Sequence, residues 1–152
     1  MEISGEYIFD APQDIVWETL QNPLIYGAVV PTCLGVEKVL DNQYNGILQF
    51  KLGSMQGSFK GKVNLSNINP PLSYDIEIHG NGLLGVANVQ GSLQVETVED
   101  KTLIRYQGKA QFGGRVASVG SRMLENAINA LLGDSLDALD KYLQVELKKH
   151  KS

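Results

Sequence analysis

The period of the hydrophobic pattern, which changes along the chain, constrains the fold more than any other feature. Five runs alternate apolar and polar side chains, at positions 48–52, 59–65, 72–78, 89–95 and 104–112. Alternation at every second residue is typical of antiparallel strands with one face in the core and one in water. After Gly114 the apolar residues recur with helical spacing, from Leu124 to Leu147. A helix of about 30 residues reaches about 45 Å, which is enough to cross the buried face of such a sheet.

The segment before these runs adds a strand, two short helices and one more strand. Ile3 to Phe9 reads as the first strand, and Asp10 is expected to cap a helix with Gln13 answering the cap. Asn22-Pro23 then predicts the cap and first residue of a second helix. The less regular run from Val36 to Leu40 is interpreted as another strand.

This order predicts an α+β helix-grip fold. A curved antiparallel sheet of about seven strands would wrap around the long C-terminal helix, with the two short helices after the first strand. The arrangement resembles that of the START and Bet v 1 superfamily. We expect a single domain over residues 1–152.

The turns between strands are of two kinds, and the two kinds alternate. Asp41-Asn42, residues 67–71 and Glu99-Asp100 are polar, whereas residues 29–35, 53–57, 80–86 and 113–120 are rich in glycine and apolar side chains. Successive turns of an antiparallel meander lie at opposite ends of the sheet, so one end is expected to be unusually apolar. An apolar rim favours a ligand, a partner or a membrane. The predicted mouth of a cavity comprises Met55, Leu83, Leu84, Val86, Val116 and Val119.

Charge and cysteine content exclude several classes of function. The net charge of -4 and the lack of a basic stripe argue against nucleic acid as a partner. The single cysteine, Cys33, provides neither a disulfide framework nor a metal cluster, and it favours a reducing setting. No signal peptide and no apolar run of about 20 residues is evident. We therefore expect a cytoplasmic protein without a cofactor or a metal.

The inward positions of the predicted sheet carry little chemistry. They are apolar except for Tyr74 and Tyr106, whose hydroxyls either bind a ligand carbonyl or are satisfied within the core. His79 falls on the outward face, and Cys33 is interpreted as a small buried hydrophobe, so no catalytic residue is predicted. The predicted lining of the ligand cavity is Trp17, Phe50, Phe59, Tyr74, Ile76, Leu93, Tyr106, Phe112, Met123, Leu124 and Ile128.

Three glycines, Gly61, Gly91 and Gly108, also lie at inward positions. Each removes side-chain volume beneath the long helix, which leaves space for a ligand. Each is equally consistent with close approach of the helix or with a bend in a strongly coiled strand. The sequence leaves both interpretations open.

Several segments resemble the CoxG family, which takes its name from a carbon monoxide dehydrogenase subunit. They keep their order and spacing from near the start of the chain to about residue 140. The segments are Gly5 with Ala11-Pro12, Val16-Trp17, residues 20–23, residues 30–33, residues 57–63, residues 70–74 and residues 113–122.

This resemblance implies a role beside a molybdenum-containing carbon monoxide dehydrogenase. Members of the family are thought to help recruit that enzyme to the cytoplasmic membrane and to handle a lipophilic, quinone-type electron acceptor. For this chain we expect a non-enzymatic protein that binds a lipid- or quinone-like molecule, with peripheral contact at the inner face of the membrane. The alternative is an interaction module whose apolar rim docks a partner enzyme or a bilayer. A cyclase or hydrolase is the weakest hypothesis, because the alternation places no reactive polar pair inside the cavity.

Overall fold

The computed structural model describes residues 1–151, with side chains through residue 149. Seven strands form one antiparallel sheet in the order β1-β7-β6-β5-β4-β3-β2. The elements are β1 (Glu2–Phe9), α1 (Gln13–Leu20), α2 (Pro23–Val29), β2 (Cys33–Leu40), β3 (Gln43–Leu52), β4 (Met55–Asn69), β5 (Ser73–Gly82), β6 (Gly85–Val98), β7 (Lys101–Gly113), a 3-10 segment (Gly114–Val119) and α3 (Ser121–Lys151). The predicted helix-grip fold is confirmed.

The start of α2 follows the sequence prediction. The Asn22 side chain accepts a hydrogen bond from the backbone N–H of Leu24 at 3.2 Å, and Pro23 occupies the first helical turn. One backbone donor that the helix leaves unpaired is thereby satisfied.

The predicted cap of α1 is wrong. Pro12 stands at the N-cap in an extended conformation and no side chain caps the helix, because the extended residue separates Asp10 from the first turn. Gln13 instead ties the helix to the sheet: its Nε2 donates to the carbonyls of Pro71 at 2.9 Å and Val95 at 3.1 Å. Its Oε1 accepts from the Thr97 hydroxyl at 2.7 Å.

The buried core forms two clusters, one toward each end of α3. The polar-end cluster consists of Phe9, Ala11, Val16, Trp17, Leu20, Leu65, Tyr74, Val95, Ile104, Leu136, Leu139 and Leu143. The glycine-end cluster consists of Leu52, Phe59, Leu84, Val116 and Leu124. The helix runs through Gly133 without a break, so one rigid element joins both clusters.

Polar contacts fix the C-terminal half of α3 over β1. The Tyr7 hydroxyl donates to Asp137 Oδ1 at 2.8 Å, and Gln144 Nε2 donates to the carbonyl of Asp10 at 2.7 Å. Burial, followed by the hydrogen bond to Asp137, raises the pKa of Tyr7 well above its usual value. The helix is thus held across the sheet by more than apolar contact.

Candidate ligand-binding site

Between the two clusters lies a set of apolar side chains that are only half-buried. We call it the central strip; it comprises Ile76, Ile78, Val89, Leu93 and Tyr106 of the sheet and Ile128, Leu131 and Leu132 of α3. The sheet members share the inward face, since they lie on the same side as the buried Tyr74 and Val95. The helix members continue the stripe that begins at buried Leu124. The middle of the grip is therefore apolar on both walls.

The central strip is less tightly packed than the cores on either side. Ile76, Leu93 and Tyr106 touch the margin of the polar-end cluster. The other five members, Ile78, Val89, Ile128, Leu131 and Leu132, are not among the residues packed against either cluster. Protein interiors are normally filled to crystal-like density, so partly exposed apolar side chains at inward positions indicate looser packing in the middle of the grip.

The structure separates the three inward glycines: two lie against neighbouring backbone atoms, and one leaves space beside it. A Cβ atom at Gly108 would lie 2.9 Å from Gly91 Cα and closer still to the Gln90 carbonyl oxygen, and one at Gly91 would lie 3.1 Å from the Gln107 carbonyl oxygen. Gly91 and Gly108 face each other across β6 and β7, so this pair permits a close approach of backbones. At Gly61 the nearest atom would be 3.7 Å away, which is an ordinary contact. Only Gly61 leaves room for a side chain.

Tyr74 belongs to the core and does not line an open cavity. It is 2% exposed, and its ring stands edge-on to Trp17 with centroids 5.6 Å apart. The hydroxyl of the neighbouring Tyr26 donates to the carbonyl of Leu20. Burial raises the pKa of Tyr74 to about 12, and the interaction with Tyr26 partly opposes this shift. That Trp17 and Tyr74 contact a ligand stays a prediction, and the structure places both in the polar-end cluster.

Tyr106 differs from Tyr74 in both exposure and bonding. The residue is half-buried, and its hydroxyl has no hydrogen-bond partner within the part of the chain that the structure describes. Its ring lies over Gly5 on the neighbouring strand, where a Cβ atom would come within 2.6 Å of the Tyr106 Cζ. The missing side chain of Gly5 thus makes room for a ring that carries a free donor.

The remaining predicted lining residues lie toward the glycine end. Phe59 (7% exposed) and Leu124 (4%) are packed inside the glycine-end cluster, so they are core residues. Phe50 and Phe112 pack against that cluster, and the rings of Phe50 and Phe59 meet edge-on at 5.8 Å. Met123 is 47% exposed. Of the predicted lining, only Ile76, Leu93, Tyr106 and Ile128 fall within the central strip.

Two residues of the predicted mouth at the glycine-rich end are buried. Leu84 (4% exposed) and Val116 (0%) are buried, and the Val116 N–H donates to the Leu84 carbonyl at 2.8 Å. The side chain of Leu84 packs where Gly57 has none, since a Cβ there would lie 3.0 Å from it. Met55 and Val119 pack against the same cluster. The glycine-rich end is therefore closed by packed side chains. Leu83 (95% exposed) and Val86 (44%) remain in water there, and we call them the apolar tip.

The family model for CoxG, described as a carbon monoxide dehydrogenase subunit, matches residues 5–144. The chain belongs to the CoxG family. No curated protein matches it.

Solved structures show the same fold. A conserved protein from Geobacillus kaustophilus is 25% identical to this CoxG chain, covers 95% of each chain and has a TM-score of 0.89. The Zhui aromatase/cyclase from Streptomyces sp. R1128 is 14% identical over 97% of this chain and 95% of its own, with a TM-score of 0.68. Ara h 8.0201 is 13% identical over 95% and 98%, with a TM-score of 0.69. CoxG membership and this Bet v 1-like fold support a ligand-binding domain.

Only part of the central strip of this CoxG chain was predicted from the sequence. Ile78, Val89, Leu131 and Leu132 lie at inward or stripe positions that the predicted lining does not include. For Val89, a usable signal is the inward Gly91 two residues along the same strand, beside which side chains have less to pack against.

Polar chemistry near the strip is sparse. The Ser135 hydroxyl on α3 donates to the helix carbonyl of Leu131 at 2.6 Å, and Cys33 is partly buried with its thiol 3.7 Å from the Gly35 carbonyl. Within the described residues no group of His, Cys, Asp and Glu could hold a metal ion. None of the described helices combines the length and hydropathy that crossing a membrane requires.

Proposed function

We propose that this CoxG protein is a non-enzymatic binding protein that holds an elongated hydrophobic molecule in the central strip. The observation that carries the proposal is the unequal packing of the grip. Both ends form filled cores, whereas apolar side chains of the sheet and α3 face each other half-exposed between them. Filling that space with apolar atoms gains about 25 cal/mol for each Å² removed from water.

The side chains of the strip favour binding over catalysis. General acid–base or nucleophilic chemistry needs a titratable group within hydrogen-bond reach of the reacting atom. The strip as defined offers one polar group, the phenol of Tyr106, which can donate a hydrogen bond. The related aromatase/cyclase has this fold, but its identity of 14% supports the fold alone.

Besides a suitable shape, a ligand would need a hydrogen-bond acceptor for the phenol of Tyr106. A half-buried donor without a partner favours a molecule that has an oxygen acceptor near the middle of an apolar body. A lipid ester or a quinone-like ring has this character. On the family description we further propose that the ligand serves a carbon monoxide dehydrogenase-type molybdenum enzyme, to which this protein is accessory.

Extraction of the gently purified protein tests the proposal directly. Solvent extraction and mass spectrometry should find an apolar molecule at a stoichiometry near one. Leu131→Trp should displace it by filling the strip, whereas Val145→Trp should not, because Val145 is 53% exposed on the same helix. An empty protein that also fails to bind fatty acids and quinones would contradict the proposal.

A second candidate function rests on the exposed tip at the glycine-rich end. Leu83 (95% exposed), Val86 (44%) and Met123 (47%) are large apolar side chains left in water. Such a patch favours docking to a partner enzyme or to the membrane surface. Leu83→Asp should reduce that association, and Val39→Asp, at a site 51% exposed on β2, is the matched control. Equal association of both variants would rule out the tip as the docking surface.

A further inference from the structure

We infer that the outer face of the sheet carries a second binding site, a groove that receives an extended acidic segment of a partner protein. The groove has a volume of about 1030 Å³ and is open along one side. We call it the outer groove; it is lined by Gly35, Val36, Glu37, Asn45, Gly46, Ile47, Lys60, Gly61, Lys62, His79 and Asn81.

The outer groove is separate from the central strip because it lies on the other face of the same strands. Lys60 and Lys62 are exposed and alternate with Phe59, which is buried in the glycine-end cluster. Lys60 pairs with Ile47 and Asn81 on the neighbouring strands, so these three side chains share the outward face. A ligand in the grip and a segment in the groove would therefore be divided by the thickness of the sheet.

The walls of the groove are basic and have unused hydrogen-bonding groups. The chain as a whole has a net charge of -4, yet the lining holds two lysines against one carboxylate, Glu37. Within the described residues neither Lys60 nor Lys62 makes an ion pair, and no hydrogen bond occupies the side-chain amides of Asn45 and Asn81. Amine groups and amides in a concave surface attract carboxylates and orient them.

His79 is held in place at the edge of this wall. Its Nδ1 is 2.8 Å from Asn88 Oδ1, and its Nε2 lies 3.7 Å from the carboxylate of Glu77. The hydrogen bond to Asn88 orients the imidazole, so it shapes the wall, and the lysines are the cationic groups of the lining that make no ion pair within the described residues. Glu37 lies on the edge strand β2, which leaves the middle of the groove to the two amines.

The shape of the groove selects among anionic occupants. A flat bilayer cannot enter a concavity, whereas an extended segment can lie along neighbouring outward side chains of one strand. Lys60 and Lys62 stand two residues apart on one strand, so their side chains emerge about 6.8 Å apart. An extended segment with acidic residues at every second position repeats at the same distance, which matches one carboxylate to each amine.

Binding of a labelled peptide tests this site. The probe is an eight-residue fluorescein-labelled peptide of alternating glutamate and valine, followed by anisotropy at low and moderate salt. We expect saturable binding that weakens with salt and about tenfold loss in the double variant Lys60→Glu/Lys62→Glu, since each exposed ion pair contributes up to about fivefold. Gly35→Leu should block the groove without straining the fold, because a Cβ at Gly35 meets no atom within 4 Å. Lys101→Glu, at an exposed lysine at the start of β7, is the charge control and should bind normally.

Several results would overturn the inference. They are no saturable binding up to about 1 mM, equal binding of a peptide with glutamine in place of glutamate, or equal binding by the double variant and Lys101→Glu. Binding of vesicles rich in anionic lipid through Lys60 and Lys62, without binding of the peptide, would also overturn it. None of these results changes what solvent extraction finds in the central strip, so the two proposals fail independently.

Discussion

Replacing Gly108 by alanine should destabilise the protein, whereas the same change at Gly61 should not. Both glycines occupy inward positions of central strands, and both substitutions add one methyl group on the same face of the sheet. At Gly108 the methyl would lie 2.9 Å from Gly91 Cα, 0.5 Å short of the 3.4 Å at which ordinary contacts begin. The opposing atoms are backbone, so they cannot move aside without shifting β6 against β7.

The expected magnitudes differ clearly. Forcing a methyl group into a filled space costs about 1–3 kcal/mol, which lowers the melting temperature of a chain of this size by about 2–12 °C. At Gly61 the nearest atom is 3.7 Å from the added methyl, and the backbone dihedral φ is not in the left-handed region. There the reduced entropy of the unfolded chain should leave stability unchanged or raise it by about 0.4–1 kcal/mol.

Urea unfolding of the wild type and the two variants, followed by circular dichroism, measures the difference. The slope against urea should stay the same, so that the shift in midpoint reports stability alone. Equal midpoints for the two variants would show that the backbones at Gly91 and Gly108 do not approach as closely as the structure indicates.

Other changes have equally definite outcomes. The pKa of Tyr74 is raised to about 12 in the folded state, so folding stability should fall as the pH rises from about 10 to about 12. For this group the loss is about 1.4 kcal/mol per pH unit. Urea titrations at several pH values should show a smaller slope for Tyr74→Phe. Gln13→Ala should lower the free energy of unfolding by about 1–3 kcal/mol through the loss of its three hydrogen bonds to the sheet, whereas Gln13→Glu should recover part of it only through the bond from Thr97. Leu84→Asp should unfold much of the protein, because the site is 4% exposed. Leu83→Asp should keep the melting temperature within about 2 °C of the wild type, because that site is 95% exposed. Equal melting curves for the two variants would contradict the inward position of Leu84.

The sequence predicted the fold well because alternation and helical spacing are local properties of the chain. A residue such as Phe59 or Val95 is assigned to the inner face by its own strand, whatever the rest of the molecule does. The order from β2 to β7 then follows from short antiparallel connections. The pairing of β1 with β7, about 100 residues away, is the part of the sheet that local properties do not give.

The site was harder to predict. Alternation along a strand tells which face of the sheet a residue is on, but not how tightly other residues pack against it. Tyr74 and Ile76 share a face of one strand, yet the first is 2% exposed and the second is half-buried. The difference depends on which part of the sheet α1 and α3 cover. The turn residue Leu84 shows the same limit, since its burial depends on the empty position at Gly57 in another strand. Gln13 likewise found partners 58 and 82 residues away, which no local capping pattern contains.

The uneven anchoring of α3 has a consequence for the rates at which its parts open. Three leucines, Leu136, Leu139 and Leu143, bury the C-terminal half, while Leu124 alone is buried in the N-terminal half. At about 1.5–3 kcal/mol for each buried leucine, the N-terminal half should separate from the sheet with about 3–6 kcal/mol less free energy. Its amide protons should then exchange with solvent earlier than those after Leu136.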